Sequence, residues 1–486
     1  MTEFSIIQGG MGVGVSGWKL AKAVAERGQL GVVSGTGIAV VVARRLQMGD
    51  EGGHVRRALG AFPIPEVAER ILARHYVAGG KSDFTPFLPV SMPTLEPGTS
   101  AEELMVVANF VEVYLAKEGH KGLVGINYLE KIQLPHVSSL FGAMLAGVDY
   151  VLMVAGIPRH IPGVLDALAE GKEATYRIDA DGAVGDEFVA RFDPAVFCKD
   201  GAPKLKRPKF LAIVSSATLA MTLARKSNGK VDGFVVEGDT AGGHNAPPRG
   251  PMQLNERGEP IYGERDNADL KKIAEIGLPF YLAGGYGRPG KLAQAKALGA
   301  SGIQVGTAFA FCEESSIEEH LKRRIIERSC AGMNDVLTDP HASPTGFPLK
   351  VLQLDGTLSE PEIFESRERV CDMGYLRRPY RREDGKMWYR CAAEPVAEYV
   401  RKGGKAEDAV GRKCLCNGLF ANIGLPQVRK GLAELPLITA GDDAGILRAF
   451  VREGAVSYTA SEVMNVLLGV TGVAETRNPG VAVGSV

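Results

Sequence analysis

GFVVEGDTAGGHN, residues 233–245, is an apolar run that stops at glycines and a histidine. The run lacks polar alternation, as a strand covered on both faces does. Two more runs of this kind follow, PFYLAGG (279–285) and GIQVGT (302–307), separated by one helix length. Five others precede them: SIIQGG (5–10), LGVVSG (30–35), GLVGIN (122–127), YVLMVAG (150–156) and FLAIVSS (210–216). Helical periodicity lies between them at 17–27, 66–77, 102–118, 136–146, 217–226, 268–276 and 289–298. Strand–helix alternation predicts an α/β fold with right-handed crossovers. Eight strands predict a (β/α)8 TIM barrel. A ninth run, PFLPVS (86–91), is set aside because Pro86, Pro89 and Pro93 hem it in.

Two stretches break the rhythm. Residues 171–207 contain YRIDADGAVGDEFVARFDP, which predicts a hairpin with Asp181-Gly182 at its turn. This is expected to be a lid-like insertion over the barrel mouth. Residues 239–267 form a long irregular loop, and loops of that length are often functional. Past residue 312 the pattern is helical at 316–330, 395–402 and 425–470. The expected division is a barrel at 1–312 and a mainly helical C-terminal region at 313–486. An apolar helical appendage on a barrel points to a homodimer.

The chain has 486 residues, 45% hydrophobic and 23% charged, with a net charge of −1. No field of one sign favours a nucleic-acid partner. MTEFSIIQGG predicts no signal peptide, and IAVVVA (38–43) is too short to span a membrane. The cysteines number seven and are sparse in the first 300 residues, which fits a reducing cytoplasm.

Glycines at the strand ends carry the functional reading. GVGVSG (12–17) matches a dinucleotide-binding pattern, but no Asp or Glu lies between Arg27 and Gly49 to hold a ribose. In barrels of this type phosphates sit in the loops after strands seven and eight. Here those loops hold Gly284, Gly285, Gly306 and Thr307. Bare main-chain N–H groups and a hydroxyl there can face phosphate oxygens. The competing role is a tight strand–helix turn. His244 follows Gly242-Gly243 at a strand's carboxyl end, where catalytic groups gather. Its imidazole can take or give a proton near neutral pH. Asn127 ends GLVGIN and can hydrogen-bond a heteroaromatic ring or a substrate; a strand-end cap is the alternative. Gln8 ends strand one in the same way.

Cys371, Cys391, Cys414 and Cys416 invite a metal reading, but they lack paired C-x2-C knuckles. The expectation is ordinary reduced cysteines and no metal. Arg377, Arg378, Arg381 and Arg382 sit with Tyr375 and Tyr380, as a solvated face or subunit contact would.

Together IIQGGMG, GIN (125–127), EGDTAGGH (237–244), LAGGYG (282–287) and IQVGTAF (303–309) resemble the nitronate monooxygenase family, formerly 2-nitropropane dioxygenase. The wider family includes flavin-type enoyl reductases, among them the enoyl reductase subunit of polyunsaturated fatty acid synthases. The resemblance covers roughly residues 4–312. It implies a TIM barrel that binds FMN without a covalent bond. Gly9, Gly10 and Met11 would lie by the flavin ring, and Asn127 would contact ring or substrate. Gly243, Gly284, Gly285, Gly306 and Thr307 would hold ribityl and phosphate, and His244 would be the catalytic histidine. The implied substrate is a small molecule: an alkyl nitronate oxidised with O2, or an enoyl thioester or quinone reduced by NAD(P)H. A flavin-binding partner subunit is a third reading. The long C-terminal region, the 171–207 insertion and GGHNAPPRG set this chain apart from the short members.

Overall fold

In a computed structural model, described here for residues 3–470 except 186 and 200, eight parallel strands close into a barrel. The first two residues, two positions of the 171–207 insertion and the end of the C-terminal region lie outside the described residues. The strands are β1 (Ile6–Gln8), β2 (Gly31–Ser34), β3 (Val124–Leu129) and β4 (Tyr150–Val154), then β5 (Ala174–Arg177) and β6 (Val189–Phe192) in the insertion. The barrel continues with β7 (Lys209–Val214), β8 (Gly233–Glu237), β9 (Phe280–Ala283) and β10 (Gly302–Val305). Its order is β1-β10-β9-β8-β7-β4-β3-β2.

Closure between β1 and β2 uses little ladder. Ile7 bridges Leu30, and the Gln8 N–H donates to the Leu30 carbonyl at 3.0 Å. The Gln8 side chain completes the seam by accepting from the Val32 N–H at 3.0 Å. Gln8 is therefore a structural residue: its fully buried amide stands in for missing main-chain pairing.

Both strand faces are buried, which explains the unbroken apolar runs. Phe4, Ile7, Val32, Leu152, Val235 and Tyr281 fill the barrel interior. Phe4 stacks on Tyr281 at 5.2 Å and meets Tyr150 edge-on at 5.3 Å. Residues of the opposite parity, such as Ile6, Val33, Val151 and Phe234, pack on the outer helices.

All seven expected helices are present, with shifts of a few residues at their ends. Further helices include Ile38–Gln47 and Ile161–Ala169. The first is apolar nearly all round because the C-terminal region covers the side that would otherwise meet water. Arg44 on that helix is buried between the Phe87 and Phe420 rings, at 4.8 and 4.9 Å, and donates to the Leu425 carbonyl. The proline-bounded segment 86–91 is no strand; Phe87 N–H donates to Gln427 Oε1 at 2.9 Å.

The insertion forms the expected antiparallel pair, β5 with β6, joined by a longer loop than a two-residue turn. Its placement differs from the expectation. Phe192 and Phe197 pack on Phe141 of the helix His136–Leu145, outside the barrel. The C-terminal region instead covers the mouth, with Tyr375, Leu376, Leu419 and Phe420 in the cavity wall. That region mixes helices with three short antiparallel ladders, 336–339 with 349–352, 378–381 with 387–390, and 428–429 with 432–433. The arginine cluster fastens insertion to C-terminal region: Arg378 and Arg390 pair with Asp181, and Arg381 with Glu187. Among the described residues no helix is long and apolar enough to cross a membrane.

The helices His136–Leu145 and Thr99–Lys117 touch at Gly142, where a Cβ would lie 2.1 Å from the Val106 carbonyl oxygen. Gly142→Ala is expected to destabilise the chain by about 1–3 kcal/mol through overpacking. Thermal melting by circular dichroism measures this; an unchanged melting temperature would mean the two helices separate freely.

Candidate active site

Each barrel strand delivers its last residue to one mouth, so groups far apart in sequence share one cavity. That cavity measures about 210 Å³. Gly9, Gly10, Met11, Asn127, Gly243, His244, Gly284, Gly285, Gly306 and Thr307 all line it. Of the candidates expected from the sequence, these ten share one space, and Gln8 instead serves the β1–β2 seam.

The glycines have separate physical reasons. Gly10 presses on β3: a Cβ there would fall 2.3 Å from the Asn127 Cβ. Gly243, Gly284 and Gly285 have φ of +84°, +89° and +70°, in the left-handed region that favours glycine. Gly306 opens the short helix Thr307–Ala310.

Polar capacity in the wall is unspent. Asn127 Nδ2 donates to the Gly10 carbonyl at 3.4 Å, but Asn127 Oδ1 has no partner. Gln304 Oε1 and Asn422 Oδ1 are also buried, unpartnered and in residues that line the cavity. Buried acceptors of this kind call for a donor-bearing ligand. Gln304 was legible as a polar residue inside an apolar strand. Asn422 had no local signal, since the fold alone brings residues 415–443 to the mouth.

His244 is held from the C-terminal side. It bridges Leu349, and the flanking Gly243 carbonyl accepts from the Lys350 N–H at 2.9 Å. His244 Nε2 lies 2.7 Å from Ser343 Oγ, which lies 2.8 Å from Thr345 Oγ1. Lys131 Nζ donates to that Thr345 hydroxyl at 3.2 Å. A hydrogen-bonded chain thus runs from the imidazole to an amine. Burial, with the Lys131 charge adding to it, holds the imidazole pKa well below its usual value. Burial also brings Lys131 down to about 7, against the pull of Glu130. The histidine is therefore neutral at rest.

Two acids stand at the ends of the cavity. Glu237 ends β8, and burial alone pushes its carboxyl up to about 8. Its residual exposure opens into the protein-walled cavity, so little bulk water solvates the charged form. Asp443 lies by Thr307 and Gly287, and burial raises its pKa despite the Thr307 hydrogen bond and Arg288. Thr307 Oγ1 accepts from the Gly441 N–H at 2.9 Å. A second cavity of about 280 Å³ adjoins the first. The two share Val154, Ile213, Glu237 and His244, and the second also holds Arg249 and Tyr262.

Residues 167–341 match the family model described as nitronate monooxygenase. A nitronate monooxygenase of Paraburkholderia phytofirmans is 34% identical over 116 residues, 24% of this chain and 30% of that protein. A probable nitronate monooxygenase of Staphylococcus haemolyticus is 30% identical over 139 residues, 28% of this chain and 37% of that protein. The chain thus spans about a third of the length of the curated relatives it matches. The structure of FabK from Thermotoga maritima aligns with 96% of this chain and 92% of its own, at a TM-score of 0.47 and 16% identity. The resemblance to the nitronate monooxygenase family is therefore present in the matched segment as well as in the motifs.

Glu237 gives a pH signature. Between its ordinary 4.5 and about 8 the folded chain keeps a proton that the unfolded chain has lost. Stability must then fall as pH rises through that window. Melting from about pH 6 to about pH 8.5 is expected to drop more in wild type than in Glu237→Gln. Parallel curves would show that Glu237 is ionised in the folded chain.

Proposed function

We propose that this chain is an FMN-dependent oxidoreductase that oxidises alkyl nitronates with O2 to a carbonyl compound and nitrite. One observation carries this reading: strand-end glycines and an imidazole line a single cavity. A bound FMN would supply the electron-transfer chemistry, and the protein supplies position and electrostatics.

The residues fit that cofactor. Gly9, Gly10 and Met11 leave a smooth wall for a flat ring, and Asn127 Oδ1 and Gln304 Oε1 offer unspent acceptors to ring N–H groups. Gly243, Gly284, Gly285, Gly306 and Thr307 would take the ribityl and phosphate end, where main-chain amides suit an anion. Asp443 is the one group there that opposes an anion. Burial raises its pKa above the usual carboxylate value, which weakens that opposition.

His244 does the proton work. Its Nε2 is engaged by Ser343, which leaves Nδ1 to orient a nitro group or remove the α-proton of a neutral nitroalkane. Ser343, Thr345 and Lys131 fix the ring and pass charge away from it. The C-terminal cover excludes water from the reacting face.

A second reading has its own support. The adjoining cavity, with Arg249 and Tyr262, is roomier than a small nitronate needs. An enoyl thioester reduced at the expense of NAD(P)H would use it, taking hydride at the β-carbon and a proton from His244 at the α-carbon. The two readings separate on anaerobic bleaching of the flavin band. Bleaching by propyl nitronate, with nitrite formed in air, supports the first; bleaching by NADH or NADPH supports the second. A colourless protein that binds no FMN would remove both.

His244→Ala is expected to keep its flavin and lose at least about 10²-fold in kcat. Unchanged turnover would take His244 out of the reaction. Asp443→Asn removes the opposing acid and is expected to bind FMN at least as tightly as wild type at neutral pH. Weaker binding measured by fluorescence titration would mean that the carboxylate itself holds the cofactor.

A further inference from the structure

The four late cysteines, scattered over 46 positions of sequence, come together. Cys371, Cys391, Cys414 and Cys416 pack as one cluster and line a common small cavity. The remaining three, Cys198, Cys312 and Cys330, lie outside it. From their geometry and surroundings we propose that Cys371, Cys391, Cys414 and Cys416 form a four-thiolate site for a thiophilic metal centre, a zinc ion or an iron–sulfur cluster.

Main-chain donors point at the sulfurs. Asn417 Nδ2 donates to Cys414 Sγ at 3.4 Å, and the Ala393, Asn417, Tyr375 and Leu376 N–H groups favour thiolates at Cys391, Cys414 and Cys416 against burial, which pushes all three thiols up in the metal-free chain. A neutral thiol is a weak acceptor, and a thiolate is a strong one. Hydrogen bonds from the chain to ligand sulfurs are a recurring feature of metal–thiolate centres. Cys391 accepts from two positions ahead and Cys414 from three ahead, so local turns aim the donors.

Cations complete the setting. Arg377 faces Cys371 and Cys391, Arg369 faces Cys391, and Arg367 faces Cys414. Arg367 pairs with Glu434. Arg369 donates to the Ala392 and Ala409 carbonyls, and Arg377 to the Gly374 and Pro93 carbonyls. Among the described residues neither Arg369 nor Arg377 pairs with a carboxylate. The nearby acids are committed elsewhere, Glu394 to Lys402 and Asp372 to Arg429. Partly buried guanidinium groups without counter-ions are costly. Four thiolates on a divalent centre carry two net negative charges and offset them.

The sulfurs do not converge on one point: among the described residues no three His, Cys, Asp or Glu side chains stand as a shell around a single ion. Cys371 and Cys391 instead share a hydrogen bond, so a proton sits between them. Metal binding expels such protons and draws the ligands together. An iron–sulfur cluster spaces its ligands more widely than one zinc ion and needs a smaller movement. Cys416, Leu376 and Leu415 belong also to the wall of the main cavity, so a metal centre here abuts the proposed flavin site.

The test uses the full chain, produced in cells given iron and zinc and purified without oxygen. Metal and acid-labile sulfide are counted per chain, and the visible spectrum is recorded. About one zinc per chain with no colour, or iron with sulfide and a broad band near 400 nm, each establishes the site and names its occupant. Cys391→Ser and Cys414→Ser are then expected to lose roughly tenfold or more of that metal, whereas Cys198→Ser and Cys330→Ser keep it. Where a variant fails to fold, the wild-type chain decides. Bound metal must shield four cysteines from alkylation until a chelator is added. A metal-free chain with all cysteines open to alkylation overturns the proposal, and so does a Cys371–Cys391 disulfide found by mass spectrometry.

Discussion

The site depends on a main-chain stitch between barrel and C-terminal region. The Lys350 N–H reaches the Gly243 carbonyl, the Asn245 N–H reaches the Pro348 carbonyl, and the Asp442 N–H reaches the Thr240 carbonyl. The Gly441 N–H adds a bond to Thr307 Oγ1. Backbone groups must be paired when buried, so these bonds fix register as well as contact. They pin the loop that carries His244, and through Ser343 they set the angle of its ring. Lys350 itself is buried and reaches Asp442 at 2.6 Å, which locks the two C-terminal segments to each other.

The barrel was legible because its physics is local. Strands covered on both faces read as unbroken apolar runs, and all eight runs became barrel strands. The helix at Ile38–Gln47 was missed for the same reason in reverse. Covered on two sides, it shows no polar stripe, and its run IAVVVA reads as apolar without period. The 171–207 hairpin was visible in its turn residues, but nothing local says where a hairpin docks. Its partners, Phe141 and the arginines at 378–390, lie far off in sequence.

The candidate site divides the same way. Glycines at strand ends mark the mouth, so Gly9, Gly10, Gly243, Gly284, Gly285 and Gly306 could be picked out along with His244, Asn127, Met11 and Thr307. The other wall could not. Tyr375, Phe420, Asn422 and Asp443 come from short C-terminal segments whose only shared property is that the fold delivers them to one place. The cysteines show the limit most clearly: spacing argued against a common site, and tertiary contact brought all four together.

Division of labour across the cavity has an evolutionary corollary. Groups suited to the proposed cofactor sit at or just past the ends of barrel strands, which fix their positions. The facing wall belongs to segments 375–376, 415–422 and 439–443, which no barrel ladder constrains. Drift in those segments could reshape selectivity for new reactants while the barrel side of the cavity stayed intact. A newly made chain meets the same asymmetry in time. The barrel residues leave the ribosome before Ser343, so the His244 imidazole acquires the hydroxyl that steadies it last.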